Sequence, residues 1–450
     1  MLRSVAILSV TNRITAGEET NRIHEFLKTQ LFVLNFQVEK LVIALEHETV
    51  LTQEINTLFK QYDLIIVVVE LKNDVVFKAL GNIFGDYLKM NDSTKKPKCC
   101  DDNMMKLPSL AKLLTTNNLP YPVIYLQRIF ILKEECVEIQ FLEVLRSHLE
   151  QYRTPPIFKK NIQVNLNGNC KKISDLLNEL VNVEIKKNDS TLAVSSNSFE
   201  NMVEAVEILK RELHENFLHS DEDEDALKKI LENENEHLQK SLKVIDKCIS
   251  IYGPSNVFVS FNGGKDCTVL LHLIYIVLKL KYQQYNEPII CLYVKSQETF
   301  PEQDLFISQC QTYYNLDVMV VSMGIKEALN HILTVKPNLK ACLMGTRRTD
   351  PYSQNLMEFQ MTDPDWPQIL RVSPLLDWHY SDIWDYLLFY KIPYCKLYDL
   401  GYTSLGNSSN TIRNPLLSYF DDKLNKEVYL PAYKLTNETD ERNGRNVVTQ

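Results

Sequence analysis

A glycine-containing segment in the second half of the chain combines residue types that can bind a phosphate group. An apolar run over 257–261 leads into it, and the residues that follow are Asn262, Gly263, Gly264, Lys265 and Asp266. Paired glycines allow a sharp turn, and the first turn of a helix offers unpaired amides and a partial positive charge to an anion. We therefore predict a phosphate-binding loop bounded by Ser260 and Thr268. In it, Lys265 would neutralise phosphate oxygens and Asp266 would hold Mg²⁺.

This loop is not a Walker A motif, because Val259 stands where that motif requires a glycine. An ordinary strand–turn–helix connection with incidental glycines is the alternative interpretation.

Two adjacent arginines mark a second segment with binding chemistry. A strand pattern over 340–344 runs into Gly345, and Arg347 and Arg348 follow it. The arginine fork binds phosphate through two hydrogen bonds, and ligands of α/β folds bind beyond the carboxyl ends of the strands. We predict an anion site here, with a solvated arginine pair as the alternative.

A third segment, over 362–416, is rich in polar, aromatic and glycine residues. It contains Trp366 and Arg371, then a helix pattern over 381–390, and then Asn410 and Arg413. Such a composition suits the lid of a pocket, and an irregular C-terminal tail is the alternative.

Strand and helix patterns alternate on both sides of these segments. Strand patterns over 4–10, 37–43 and 63–69 alternate with helix patterns over 20–31 and 51–61. After residue 240 the alternation resumes, with strands over 257–261, 289–294, 318–322 and 340–344 and helices over 242–251, 268–280, 302–314 and 326–335. Alternation of this kind predicts parallel sheets covered by helices. The fold class expected is α/β, with two parallel-sheet domains joined by a small α+β unit and an acidic helical linker.

Three parts of the chain are predicted from these patterns. They are an α/β domain over 1–150, a connector over 151–240 and a catalytic domain over 241–450. The connector has strand patterns over 162–166 and 191–194, and helix patterns over 173–180 and 199–213. Five acidic residues over 221–225 are interpreted as a solvated linker or helix face.

Composition narrows the class of protein. A net charge of −9 over 450 residues disfavours a nucleic-acid partner, because phosphate neutralisation by basic residues supplies most of that affinity. The ten cysteines form no CxxC pair, and no apolar stretch reaches the ~18 residues of a membrane span. We expect a cytoplasmic protein without a membrane partner; a mitochondrial isoform and an oligomer stay open.

Five stretches together resemble the eukaryotic FAD synthases, which are FMN adenylyltransferases of the phosphoadenylylsulfate-reductase-like superfamily. They are SFNGGKDCT (260–268), MGTRRTDPYS (344–353), DPDWP (363–367), RVSPLLDWHYSDIWDYL (371–387) and PYCKLYDLGYTSLG (393–406). The resemblance implies that FMN and ATP react to FAD and pyrophosphate with Mg²⁺, and that recipient apo-flavoproteins are partners.

The resemblance also assigns roles to residues of this chain. It implies catalytic roles for Asn262, Lys265, Asp266 and Arg348, with Asp266 as the Mg²⁺ ligand. The binding residues that it implies are Ser260, Gly263, Gly264, Thr268, Gly345, Arg347, Asp350, Trp366, Arg371, Asn410 and Arg413. Bringing two polyanions together requires positioning and positive charge rather than a covalent nucleophile, so we expect Cys267 to be structural.

The N-terminal half resembles the molybdopterin-binding-like domain fused to animal FAD synthases. Where that family has a GGxGPTxDD-type loop, residues 69–77 read VELKNDVVF, and Thr11-Asn12-Arg13 replaces a Gly-Asp-Glu turn. Without glycines the backbone cannot approach an anionic ligand in the same way. We therefore expect a degenerate domain with a structural or regulatory role and without FAD hydrolase activity.

Two other functions stay open. A reductase of adenylylated sulfate would share the glycine loop, but it requires a redox cysteine near the C-terminus, and Cys395 is the only cysteine after Gly345. A flavin- or nucleotide-binding protein without catalysis is the second.

Overall fold

The computed structural model describes most of the chain. The described residues are 3–11, 18–34, 36–69, 74–85, 88–90, 106–116, 119–150, 157–164, 182–188, 190–213, 217–221, 224–421 and 426–445. The helix predicted over 173–180 and most of the two degenerate N-terminal turns (12–13 and 70–73) lie outside them. Two compact units, Met1–Pro156 and Ile157–Gln450, are described separately.

The first unit is a sheet with helices on both faces. Its described strands are ordered β2-β1-β3-β8-β7-β6, and β2, β1, β3 and β8 are mutually parallel. The larger elements are β1 Arg3–Thr11, α1 Glu18–Val33, β2 Phe36–Leu45, α2 Glu48–Gln61, β3 Leu64–Val69 and α3 Asp74–Phe84. The short strands β4 Leu88–Met90, β5 Lys106–Pro108 and β6 Lys112–Leu114 follow, then β7 Val123–Leu126, β8 Ile129–Lys133, α4 Val137–Gln140, a π-helical turn Phe141–Leu145 and α5 Arg146–Glu150.

Alternate residues of the central strands pack on opposite faces, as the period of a strand requires. In β1, Ala6 and Leu8 join the core under α2 and α3, whereas Val5 and Ile7 join the core under α1 and α4. This unit therefore has two hydrophobic cores of its own.

The second unit starts with a small antiparallel sheet, ordered β10-β11-β9-β12. Its elements are β9 Phe158–Val164, β10 Glu184–Asn188, β11 Thr191–Ser196, α6 Phe199–Leu213 and β12 Phe217–Asp221. The acidic run starts at the end of β12, where Asp221 pairs with Asn161 of β9, and it ends in the first turn of α7 Glu224–Leu231. Glu224 and Asp225 are exposed on this helix, whereas Leu227 and Ile230 are buried, and the linker stays a prediction.

The larger sheet of this unit has the order β15-β14-β13-β16-β18-β17, and only β17 is antiparallel to its neighbour. The first elements of this part are α8 Glu236–Tyr252, β13 Val257–Ser260, α9 Lys265–Lys281, β14 Ile289–Val294 and α10 Pro301–Tyr314. They continue with β15 Leu316–Val321, α11 Ile325–Val335, β16 Ala341–Leu343, β17 Phe359–Met361, β18 Leu370–Val372, α12 Tyr380–Phe389, β19 Ser418–Asp421 and β20 Lys426–Tyr429. The predicted α/β class with two mainly parallel sheets is confirmed.

Parallel register brings the predicted site segments to one edge of this sheet. Val259 of β13 pairs with Leu343 of β16, and Ser260 pairs with Leu292 of β14. The loops after β13 and β16 therefore start side by side. Among the described helices, none has both the length and the apolar character needed to cross a bilayer.

Candidate active site

The glycine loop connects β13 to α9 in a tight turn. Gly263 has φ +73°, and a Cβ atom there would lie 3.0 Å from Cγ1 of Ile307 in α10. Only glycine adopts this backbone conformation without strain while α10 packs so closely. The carbonyl of Asn262 accepts a hydrogen bond from Nε2 of Gln303 at 2.6 Å, which fixes the loop to α10.

Side chains organise the amides at the start of α9. The Asn262 Oδ1 atom accepts a hydrogen bond from the Gly264 amide at 3.0 Å, and the Tyr398 hydroxyl accepts one from the Lys265 amide at 2.9 Å. The Thr268 hydroxyl donates to the Gly264 carbonyl at 2.8 Å. The first turn of α9 is thus held by Asn262, Thr268 and a tyrosine 133 residues away.

Four charged side chains, three of them buried and one partly exposed, form a closed ring of ion pairs next to this turn. We call Lys265, Asp266, Arg347 and Glu441 the charged ring. Lys265 Nζ lies 3.0 Å from Asp266 Oδ2 and contacts Glu441 Oε1. Arg347 Nε lies 2.7 Å from Asp266 Oδ1, and Arg347 Nη2 lies 2.5 Å from Glu441 Oε2. Each cation therefore contacts both carboxylates, and the ring has no net charge when all four groups are ionised.

Burial and charge set the ionisation of the ring. The side chains of Lys265 and Arg347 are 2% and 0% exposed, whereas that of Asp266 is 22% exposed. Burial opposes the ionisation of Asp266, but the Lys265 and Arg347 charges outweigh it and lower its pKa. Burial also opposes the charge on Lys265 and Arg347, and the two carboxylates outweigh it, so that both pKa values are raised. Lys265, Asp266 and Arg347 are therefore charged at neutral pH.

One donor of the ring has neither a hydrogen bond nor an ion-pair contact among the described residues. Among the described residues, Arg347 Nη1 is buried and makes no hydrogen bond. An unsatisfied buried donor is unfavourable, so a ligand that supplies an acceptor there would stabilise the site. Phosphate oxygens are suitable acceptors for a guanidinium.

Arg348 and Asp350 lie in the same loop but have other contacts. Arg348 Nε lies 2.6 Å from Asp377 Oδ1, and its Nη1 donates to the Leu356 carbonyl at 2.9 Å. Asp350 Oδ2 accepts from the Arg347 amide at 2.9 Å, and Asp350 Oδ1 lies 3.1 Å from Arg442 Nη2. Asp350 thus fixes the backbone of Arg347, while Arg348 holds the following loop.

Gly345 allows β16 and α9 to approach each other. A Cβ atom there would lie 2.9 Å from the Cys267 amide nitrogen and 3.0 Å from the Asp266 carbonyl carbon. The Cys267 thiol donates to Asn262 Oδ1 at 2.9 Å, and burial raises its pKa to about 12. A neutral buried thiol is a poor nucleophile, in agreement with the structural role expected for Cys267.

The remaining predicted residues have contacts outside the charged ring. Ser260 is the last residue of β13. The Lys326 ammonium lies 5.9 Å from the centre of the Trp366 ring. Arg371 Nη2 donates to the Met361 carbonyl at 3.4 Å. Asn410 Oδ1 accepts from the Thr411 hydroxyl, and the Arg413 guanidinium lies 5.2 Å from the Tyr429 ring centre. The described contacts do not join Trp366, Arg371, Asn410 or Arg413 to the ring, and their predicted roles stay predictions.

Sequence reasoning missed the C-terminal segment 437–445. It contributes Glu441 to the ring, Arg442 to Asp350 and Arg445 to the Thr411 hydroxyl, at 3.0 Å in the last case. Tyr398 was also missed as a partner of α9. Spacing along the sequence cannot identify these residues. Each is far in sequence from the glycine loop and from the segment with Arg347 and Arg348, and it comes close to them only in the folded chain.

The contacts of Asp266 do not fit a metal ion held by the protein alone. Both of its oxygens already face a cation, and a further cation would be repelled by Lys265 and Arg347. Within the described ranges, no group of three or more His, Cys, Asp or Glu side chains could hold a metal ion. The role of Asp266 as a Mg²⁺ ligand therefore stays a prediction.

Known proteins share this site-bearing part of the chain. Residues 256–413 match the model of the phosphoadenosine phosphosulfate reductase domain. A crystal structure of Candida glabrata FMN adenylyltransferase, in complex with FMN and the ATP analogue AMPCPP, is 26% identical. It covers 49% of this chain and 94% of that chain, with a TM-score of 0.44.

Two similar proteins carry the name probable FAD synthase. The Caenorhabditis elegans protein is 40% identical over 222 residues, which are 48% of this chain and 42% of the nematode one. The Schizosaccharomyces pombe protein is 41% identical over 213 residues, which are 46% of this chain and 78% of the fission yeast one. With more than three quarters of the fission yeast protein matched at this identity, the chain belongs to the FAD synthase family.

Proposed function

We propose that this protein is an FMN adenylyltransferase, which transfers the AMP part of ATP to FMN and releases pyrophosphate. The observation that carries the proposal is the charged ring beside the glycine loop. It places two permanently positive side chains at the carboxyl edge of a parallel sheet, where α/β folds bind their ligands. The names of the related proteins agree with this activity.

The reaction needs no covalent nucleophile and no base from the protein. An oxygen of the FMN phosphate attacks the α-phosphorus of ATP, the bond from this phosphorus to the bridging oxygen breaks, and pyrophosphate leaves with that oxygen. A phosphate monoester loses its second proton with a pKa of roughly 6, so its oxygen is unprotonated at neutral pH. Lys265 and Arg347 are proposed to donate hydrogen bonds to phosphate oxygens of the two substrates, and positioning does the rest.

Mg²⁺ enters this proposal as part of the substrate. Magnesium in nucleotide-dependent enzymes is commonly held by substrate phosphates together with one or two carboxylates. We propose that ATP binds as its magnesium complex and that the exposed part of Asp266 faces it.

The other predicted residues fall into two groups. Ser260, Asn262, Gly263, Gly264 and Thr268 are proposed to hold the ATP phosphates through the turn that they form. The flavin side is proposed to involve Gly345, Arg347, Arg348, Asp350, Trp366, Arg371, Asn410 and Arg413.

The proposal extends to the setting of the enzyme. The N-terminal α/β domain over 1–150 is proposed to be structural or regulatory, the connector over 151–240 to support the catalytic domain over 241–450, and FAD to pass to apo-flavoproteins. A cytoplasmic location is part of the same proposal.

Purified protein incubated with FMN, ATP and Mg²⁺ should form FAD and pyrophosphate in equal amounts. Chromatography would measure the FAD, and a phosphate assay would measure the pyrophosphate. A folded protein that forms no FAD would contradict the proposal. A sulfate reductase would instead release sulfite with thioredoxin, which we do not expect, because Cys395 is buried and its thiol pKa is raised to about 11. Binding of FMN and ATP without turnover would favour a non-catalytic protein.

A further inference from the structure

One member of the charged ring comes from neither the glycine loop nor the arginine segment. Glu441 lies 176 residues after Lys265 and 94 residues after Arg347. Its side chain is only 11% exposed, and its two oxygens are divided between the two cations of the ring. Without Glu441, the buried ring would contain two cations and a single carboxylate.

Anchoring of the C-terminal segment does not require this carboxylate. The Thr403 hydroxyl donates to the Glu441 carbonyl at 2.6 Å, and Asn414 Nδ2 donates to the Asp440 carbonyl at 2.8 Å. The Arg442–Asp350 ion pair adds a further attachment. Burying a carboxylate is unfavourable unless it is paired, and an apolar side chain often fixes a segment as well as an ion pair does. The position of the Glu441 carboxylate therefore points to the chemistry of the ring.

Two consequences follow from the contacts of Glu441. The first is charge: burial and Arg347 both disfavour a charged Lys265, and Glu441 is one of the two carboxylates that keep its pKa raised. The second is orientation: Glu441 and Asp266 hold Nη2 and Nε of Arg347, which leaves Nη1 without a hydrogen-bond partner among the described residues.

We propose that Glu441 is a positioning residue for adenylyl transfer, whose two carboxylate oxygens fix the Lys265 ammonium and the Arg347 guanidinium in place for the phosphates of the substrates. This role rests on the proposed FMN adenylyltransferase activity. Glu441 does not touch the reacting atoms; it acts through the two cations that do.

The test compares Glu441→Gln with Glu438→Gln in the full chain. Glu438 lies in the same segment, but it contacts His379 and the Tyr380 amide instead of the ring. Glu441→Gln should lower kcat by about 10- to 100-fold, since small displacements of catalytic groups have effects of this size. Glu438→Gln should keep kcat within about twofold of the wild type.

The value of kcat at saturating FMN and ATP separates positioning from weaker substrate binding. Glu441→Asp keeps the charge but is too short to reach both cations, so kcat should fall in this variant as well as in Glu441→Gln. A loss confined to KM in both variants would contradict the positioning role.

Binding of ATP, measured by calorimetry, gives a readout without turnover, and circular dichroism checks the fold of each variant. Glu441→Gln should weaken ATP binding and Glu438→Gln should not. Wild-type kinetics and ATP affinity in Glu441→Gln would overturn the role of Glu441, as would equal losses of kcat in Glu441→Gln and Glu438→Gln. If the wild type makes no FAD, the proposed function fails, and the ATP affinities then decide the role of Glu441. If Glu441→Gln does not fold, Glu441→Asp decides it: wild-type kcat and ATP affinity in this variant would overturn the role.

Discussion

Of the two carboxylates in the charged ring, Asp266 is more exposed than Glu441. It pairs with Lys265 and Arg347, and its ionised form is favoured by both. We expect Asp266→Ala to lower kcat/KM for FAD formation by about 100- to 1000-fold, the range seen when one preorganised electrostatic group is removed. Asp365→Ala is the control, because the Asp365 side chain is 74% exposed and pairs only with Lys326 in the described contacts. Near-normal turnover of a folded Asp266→Ala protein would contradict the assigned role.

Gly345 is a position beside the charged ring where a single methyl group should matter. Its Cβ would meet backbone atoms of Cys267 and Asp266 at 2.9–3.0 Å, and backbone cannot move aside cheaply. We expect Gly345→Ala to destabilise the protein by roughly 1–3 kcal/mol, as overpacking does, and to lower FAD formation by displacing α9. At Gly324 the nearest atom to a Cβ is 3.8 Å away and φ is −62°, so Gly324→Ala should be tolerated. Urea unfolding and steady-state kinetics compare the two; equal stability and activity would be inconsistent with the close approach.

Residue types and spacing identify part of this site. Lys265, Asp266 and Arg347 are found from sequence because each follows a strand pattern at a short, fixed distance. Glu441 and Tyr398 are not found, since their side chains reach the site from 176 and 133 residues away. Arg348 lies outside the ring, with contacts to Asp377 and to loop carbonyls, and the catalytic role predicted for it stays a prediction.

Among the elements, long periodic segments are predicted well and short ones are not. The helix predicted over 302–314 is α10 Pro301–Tyr314, and the helix predicted over 326–335 is α11 Ile325–Val335. Helix α9 begins at Lys265 rather than at 268, because Gly264 is its N-cap and the polar residues after it are already helical. Strands β17 and β18 have three residues each, too few for a periodic signal.

One of the attachments of the C-terminal segment is a buried amide. Asn414 is fully buried; its Nδ2 donates to the Thr403 hydroxyl and the Asp440 carbonyl, and its Oδ1 accepts from the Leu416 amide. We expect Asn414→Ala to lower the free energy of unfolding by about 1–3 kcal/mol, because buried partners lose their hydrogen bonds. It should also raise KM for ATP by loosening Glu441. Asn407→Ala, at an exposed position of the same region, should change neither quantity. Unaltered unfolding and KM in Asn414→Ala would show that the segment is held by other contacts.

For the whole molecule, the small antiparallel sheet shares its core with the site-bearing part. Phe199 of α6 packs against Tyr313 of α10 with ring centres 5.2 Å apart, and Glu207 accepts a hydrogen bond from the Thr312 hydroxyl at 2.5 Å. Leu227 and Ile230 of α7 join the hydrophobic core that includes α9. The compact unit therefore starts at residue 157, whereas the sequence patterns place the start of the catalytic domain at 241.

Two truncations test whether the catalytic domain needs residues 157–240. Residues 157–450 keep a complete core and every residue assigned to the site, so we expect this fragment to fold and to form FAD with kcat within about twofold of the full chain. Residues 236–450 lose α6 and α7, which exposes the apolar faces of α9 and α10 that these helices cover. We expect this shorter fragment to unfold at lower urea concentration or to aggregate, with activity lost in parallel. Equal stability and activity of the two fragments would instead support the independent catalytic domain that the sequence patterns predict. Loss of activity in residues 157–450 with the fold retained would assign a catalytic contribution to the N-terminal unit.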